Sequence, residues 1–274
     1  MKKILQLVLL LVCVFAGTVT AFANPNGGVP RPYTFPAGMT PAETLQYYHH
    51  KITDRDTGLA YDVLTEDYKN YFGGYEKFAN GYRTTLFSRP SNIHVIAEAE
   101  NAVKLGYELR AQDWENESQI VVQTFACTAM MKDVNGCWLL DSGSGKLVKR
   151  EVLHFQDAAK AVLQGYHECI TQKEMKAAWN LLGEDYKKSF GSFPNFCKGF
   201  ETTVSSVITD ATPVADGPWM TALEYTLTAK DVTPETNVVQ TFKGMAELEV
   251  VQGKGIVIQS ASNKLVDTYF PPKW

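Results

Sequence analysis

Cysteine is scarce in this chain, five in 274 residues, and no two stand as CxxC. That absence excludes a thioredoxin-like redox pair and a zinc ribbon. Basic residues are in deficit, 26 Lys and Arg against 30 Asp and Glu. With no basic run either, the chain has no electrostatic footprint for nucleic acid or anionic lipid. Long apolar runs are also missing. The one candidate, Ile4 to Ala16, is too short to span a bilayer comfortably, and nothing similar follows it. No nucleophile elbow occurs. Gly143-Ser144-Gly145-Lys146 imitates the end of a phosphate loop but lacks the earlier glycine, and Leu147 stands where the hydroxyl is required. His49-His50 has no third ligand at metal spacing, so no metal and no cofactor is expected.

What is present begins with an address. Lys2 and Lys3 precede the apolar run, and Ala21-Phe22-Ala23 places small residues where a signal peptidase reads them. Residues 1–23 are expected to be removed near Ala23, giving an extracytoplasmic protein, periplasmic or secreted, with no stable membrane insertion. Cys13 leaves with that segment, and so do Lys2 and Lys3, so 24 basic side chains then face 30 acidic ones. Residues 24–38, NPNGGVPRPYTFPAG, form a Pro/Gly-rich lead without periodicity.

The rest of the chain is written twice. Residues 45–85 align with 163–203 without a gap, and 18 of the 41 positions are identical. LQYYHHKIT meets LQGYHECIT, LTEDYKNYFG meets LGEDYKKSFG, VVQTF recurs at 121–125 and 238–242, and Lys-Leu-Val at 146–148 and 264–266. Two copies, each over 100 residues long, indicate a duplicated domain and not a solenoid. The expected domains are 39–150 and 151–274.

Each copy has one grammar. Thr40-Pro41-Ala42-Glu43 reads as a helix start with a capping box. Leu45, Tyr48 and Ile52, like Leu163, Tyr166 and Ile170, then share a helical face. Thr53 and Thr171 are expected to cap a second helix, and a third follows Gly73 and Gly191. After Arg89-Pro90 the period becomes two, in long strands rich in Val, Ile, Thr and aromatics. Helices first and strands after indicate α+β, three N-terminal helices on an antiparallel sheet, in tandem.

This pattern resembles the nuclear-transport-factor-2-like superfamily, over nearly all of the expected mature chain and without a diagnostic motif. The resemblance implies cone-like domains whose helices and curved sheet enclose a pocket, and it includes polyketide cyclases and ketosteroid isomerase alongside domains with no catalytic role. Its catalytic residues vary, so none is carried over.

The candidate chemistry lies inside those cones. In the last copy Lys243, Glu247 and Glu249 alternate with Val238, Gln240, Phe242, Leu248 and Val250, so Gln240 is expected to face inward, and Gln123 with it. A buried amide needs a partner. Tyr48, His49, Tyr166 and His167 on the first helix of each copy are the candidates. Together with the two glutamines they form either a polar patch in a ligand pocket, with histidine as a proton carrier, or an internal hydrogen bond fixing helix to sheet. The second reading is favoured, since buried polar groups need partners whether or not a ligand exists. Asp67 and Asp185, from the repeated Glu-Asp-Tyr-Lys, are the carboxylates to watch, although a helix end with solvated charges accounts for them. Cys127 and Cys137 flank the turn signal Asp133-Val134-Asn135-Gly136 and are not expected to bond, whereas Cys169 and Cys197 are a candidate disulfide. The expected function is non-catalytic binding of a small apolar or amphipathic molecule, or of an extracytoplasmic protein. The alternative is a hydro-lyase or isomerase with His49 or His167 as base and Tyr48 or Tyr166 as hydrogen-bond donor.

Overall fold

The computed structural model describes residues 38–217 and 219–271. The expected signal of 1–23 and all of the lead but its last residue lie outside the described residues. The order of elements is α1 (Pro41–Thr53), α2 (Thr57–Asp62), α3 (Glu66–Phe72), α4 (Tyr75–Gly81), β1 (Thr85–Ala99), β2 (Ala102–Asn116), β3 (Gln119–Val134) and β4 (Cys137–Leu153). The pattern then repeats as α5 (Phe155–Thr171), α6 (Met175–Asn180), α7 (Glu184–Phe190), α8 (Phe193–Gly199), β5 (Thr203–Asp216), β6 (Met220–Val232), β7 (Asn237–Val251) and β8 (Gly255–Tyr269). The fold is therefore α+β, with two four-stranded antiparallel sheets in tandem, β1-β2-β3-β4 and β5-β6-β7-β8, each preceded by helices. By contact the chain divides into one unit of residues up to Ala111 with Gln123–Arg150, and a second of Gln112–Val122 with Glu151–Trp274.

Each copy has four helices where the sequence predicted three. Thr65 caps α3 by accepting from the Tyr68 N–H, and Gly73 ends it at φ 72°, a left-handed cap that glycine adopts without penalty. Glu-Asp-Tyr-Lys therefore opens a helix of its own. The Thr40–Glu43 capping box is present in both directions. Thr53 does not cap α2, whose N-cap is Asp56 without a side-chain bond. Its hydroxyl is used elsewhere. The strands also start earlier than expected, at Thr85, and carry Arg89-Pro90 within edge strand β1, where a missing N–H is tolerated. Asn135 and Gly136, at φ 57° and 81°, make the two-residue turn between β3 and β4 that the sequence called for.

α1 lies along β1 and α5 along β5. In the first unit Leu45, Ile52, Leu64, Phe78, Leu105, Phe125 and Met131 form the core. Phe78 sits among Tyr48, Tyr61, Phe72 and Tyr82 at ring separations of 5.1–6.4 Å, and Phe196 holds the same place in the second unit. A parallel bridge ties the chain before α3 to β4 at Leu64–Leu140, and the chain before α7 to β8 at Leu182–Ile258. The helices cover only part of each long sheet. Val95 and Ile96 on β1, Leu147 and Val148 on β4, and Leu265 and Val266 on β8 are exposed.

Candidate functional site

α1 presents Tyr48 and His49 to the interior because Leu45, Tyr48, His49 and Ile52 are the residues that its period brings to the sheet side, and all four are buried. His49 Nδ1 lies 2.8 Å from Ser88 Oγ on β1. One turn later the Thr53 hydroxyl is 3.1 Å from the His49 carbonyl and 3.3 Å from the Ser88 carbonyl, and it accepts from the Ser88 N–H at 3.0 Å. Helix and strand are thus clipped together by two helix side chains, at i and i+4, that meet a single serine on the strand. The second unit reproduces the clip: His167 Nδ1 to Ser206 Oγ at 2.8 Å, Thr171 Oγ1 to the His167 and Ser206 carbonyls at 3.1 Å each, and the Ser206 N–H to Thr171 at 2.8 Å.

Burial sets the electrostatics. Desolvation lowers His49 to about 3 and His167 to about 4, so both imidazoles stay neutral at ordinary pH. His49 Nε2 is buried without a hydrogen-bond partner among the described residues. Tyr107 stands 5.6 Å from the His49 ring, and burial raises its phenol well above the usual tyrosine range, with the Cys127 thiol alongside it. The Cys127 thiol is itself pushed up to about 11 by burial. Tyr48 is also raised, again chiefly by burial, and its hydroxyl is 2.6 Å from that of Tyr82. In the second unit Phe200 replaces Tyr82, while burial likewise raises Tyr166.

Ser88 and Ser206 are the residues that sequence reasoning missed. The gapless alignment stops three positions short of them, yet they match at the same offset and a buried histidine needed a partner. The glutamines do not fill that role. Gln123 is buried on β3 beside Phe125 and Cys127, as expected, but His49 Nδ1 goes to Ser88. Gln240 shares a strand face with Phe242, Ala246 and Leu248 yet is only half-buried, within a stretch of β7 from Val238 to Phe242 that is half-buried throughout. Full burial of Gln240 was wrong; its parity was right.

The remaining candidates fall on the outside. Asp67 and Asp185 are exposed in the first turns of α3 and α7, and Asp185 pairs with Lys188 at 2.6 Å. Both belong to solvated helix starts. His50 pairs with Asp54 at 3.0 Å. Gly143-Ser144-Gly145-Lys146 is strand, within β4. Cys169 is fully buried on α5 and Cys197 half-buried on α8, and neither is in a disulfide, nor is Cys127 or Cys137. Among the described residues no group of His, Cys, Asp and Glu is arranged to hold a metal ion, and no helix is long and apolar enough to cross a membrane.

Beside these interiors, two clefts open on the helical surfaces. One lies in the second unit, lined by Lys173, Met175, Cys197, Lys198, Phe200 and Glu201. Its Lys173, at φ 58°, reaches the Phe200, Glu201 and Thr203 carbonyls, from the residue after α8 to the start of β5. The other lies in the first unit, lined by Asp56, Gly58, Leu59, Tyr61, Asp62 and Tyr75.

No protein-family model matches the chain, and no curated protein matches it. Among solved structures it is similar to an Ntf2-like protein involved in plasmid conjugation, at 8% identity and a TM-score of 0.23, covering 82% of this chain and 97% of that one. At that TM-score the likeness carries no argument.

Proposed function

We propose that this chain is an exported, non-catalytic binding protein built from two nuclear-transport-factor-2-like modules, and that its partner is another extracytoplasmic protein held on its outer surface. The observation that supports this reading is the repeated clip. In each unit the interior histidine, which a hydro-lyase or isomerase would use as its base, is bonded through Nδ1 to a strand serine, and burial makes it a weak base, at about 3 for His49 and about 4 for His167. In the first unit the tyrosine that would donate to a substrate is paired with Tyr82. The exposed apolar residues recur instead at matched places on the last strand of each unit, Leu147-Val148 and Leu265-Val266, where they suit a protein contact. Export rests on the basic and apolar leader, and the acidic balance speaks against nucleic acid.

Histidine NMR tests the reading directly. The imidazole signals of His49 and His167 are expected to stay constant from pH 8 to pH 5 and to ignore a panel of small apolar enones and sterols. A signal that titrates near neutrality, and shifts when one of those compounds is added, would return the interior to service as a catalytic or ligand pocket.

A further inference from the structure

The first strand of each unit is an outer edge of its sheet, and the two copies treat that edge differently. At the constant offset that matches Ser88 to Ser206, Asn92 corresponds to Asp210 and Val95 to Pro213. In β5 the ladder to β6 also slips between Ile208 and Asp210, and again between Pro213 and Ala215. A proline, a charge and irregular pairing are the devices that keep an edge strand from joining another chain. The first unit has left most of them out. From Ile93 to Ala99, β1 carries no proline, lysine or arginine, and its left-handed residue, Asn92 at φ 54°, lies just before that stretch.

The stretch is exposed throughout except at Ile93, which is half-buried, and Val95 and Ile96 are 51% and 50% exposed. By strand alternation Ile93, Val95, Ala97 and Ala99 make an apolar row on one face. On the other face His94 and Ile96 lie together across Gly106 of β2, where an added Cβ would come within 2.7 Å of His94 Nε2 and 2.9 Å of Ile96 Cδ1. Glu98 follows them on that face.

The outward N–H and C=O groups of an edge accept an extended strand, and the side chains here select which. Ile96 is the central residue of Ile93–Ala99. Antiparallel pairing of the stretch with itself about Ile96 sets Val95 opposite Ala97 and Ile93 opposite Ala99, large against small along the apolar row. It also sets His94 opposite Glu98 twice, so each carboxylate meets an imidazole and no two carboxylates meet. The neighbouring axes are worse. About Ala97, Ile96 would face Glu98; about Val95, His94 would face Ile96.

We propose that the Ile93–Ala99 edge of β1 pairs antiparallel with the same edge of a second copy of this chain, about a two-fold axis at Ile96. Two four-stranded sheets then become one continuous sheet. An isologous contact of this kind closes at two copies. It leaves β4, at the opposite edge, to the partner proposed above, and it does not depend on that partner.

Sedimentation equilibrium of the full chain across the micromolar range reads the assembly, with circular dichroism to confirm that each variant is folded. A concentration-dependent dimer is expected. Val95→Pro copies the second unit, and Ile96→Lys sets lysine against lysine at the axis without altering the backbone. Each is expected to weaken the dimer by about tenfold or more, and Ile96→Lys decides if proline disturbs the strand. Val207→Lys, at a 48% exposed place on β5, is expected to change the dimer by less than about twofold. His94→Glu brings carboxylates face to face and should weaken the dimer by about fivefold, and adding Glu98→Lys should recover most of that loss. A wild-type chain that stays monomeric, or that assembles beyond the dimer, overturns the proposal. So does a dimer indifferent to Ile96→Lys, or one weakened as much by Val207→Lys, because it forms on another surface. Failure of the charge reversal to recover overturns it as well, since His94 and Glu98 then do not face each other.

Discussion

Lowering the pH from 7 to 5 tests the buried clips at the level of stability. The folded-state values of His49 and His167, about 3 and about 4, lie below the 6.5 of an unfolded imidazole. Above pH 6.5 both states are neutral and nothing is at stake. Below it the unfolded chain binds a proton that the native imidazole refuses, so stability falls with pH, from 6.5 down to about 3 for His49 and down to about 4 for His167. At a full slope of about 1.4 kcal/mol per pH unit, the 1.5 units between 6.5 and 5 correspond to roughly 2 kcal/mol lost from each unit. The carboxylates held low by their partners, such as Asp54 beside His50 and Lys51, enter only at lower pH, since their unfolded values begin near 4. Guanidinium unfolding at pH 7 and pH 5 reads the loss, and His49→Gln is expected to remove the first unit's share of the pH dependence even if it lowers stability at both pH values. Equal stability of the wild-type chain at the two pH values would refute the reasoning, because it requires imidazoles that charge in the folded state as easily as in the unfolded one.

Two further outcomes are expected. Ser88→Ala strands His49 Nδ1 in the interior and should cost about 1–3 kcal/mol by denaturant titration, whereas Ser205→Ala, one residue from the equivalent serine and only half-buried, should cost about 0.5 kcal/mol or less. The second concerns a correlated exchange between the copies. In the first, Asp141 accepts from Thr65 at 3.0 Å and pairs with Lys132 at 2.9 Å; in the second, the same places hold Gln259, Gly183 and Glu249, with the Gln259 amide donating to Glu249 at 2.7 Å. Gln259→Asp should therefore destabilise, by setting a carboxylate against Glu249. Adding Glu249→Lys should recover about 0.5–1 kcal/mol in a double-mutant cycle, and a coupling near zero would show that these places act independently.

Sequence alone determined the duplication, the α+β order and the inward face of each first helix, because each is a matter of period and recurrence. Leu45, Tyr48 and Ile52 repeat at helical spacing in both copies, and Asn135-Gly136 names its own turn. The buried pair Tyr48-His49 was legible for the same reason. Its partner was not. Ser88 sits 39 residues from His49, and only the packing of α1 along β1 decides that a strand serine, and not the strand glutamine Gln123, meets the imidazole. The extra helix α3 escaped notice because Thr65 and Gly73 cap a segment too short for a periodic signal. Gln240 kept its predicted face but lost its predicted burial, since parity is local to a strand while depth depends on how far the helices reach along it. The acidic cleft is likewise a tertiary product. Asp56, Tyr61 and Tyr75 are unremarkable in sequence, and they become one surface only when α2 and α4 pack together and set two rings against each other beside the carboxylates at the ends of a six-residue helix.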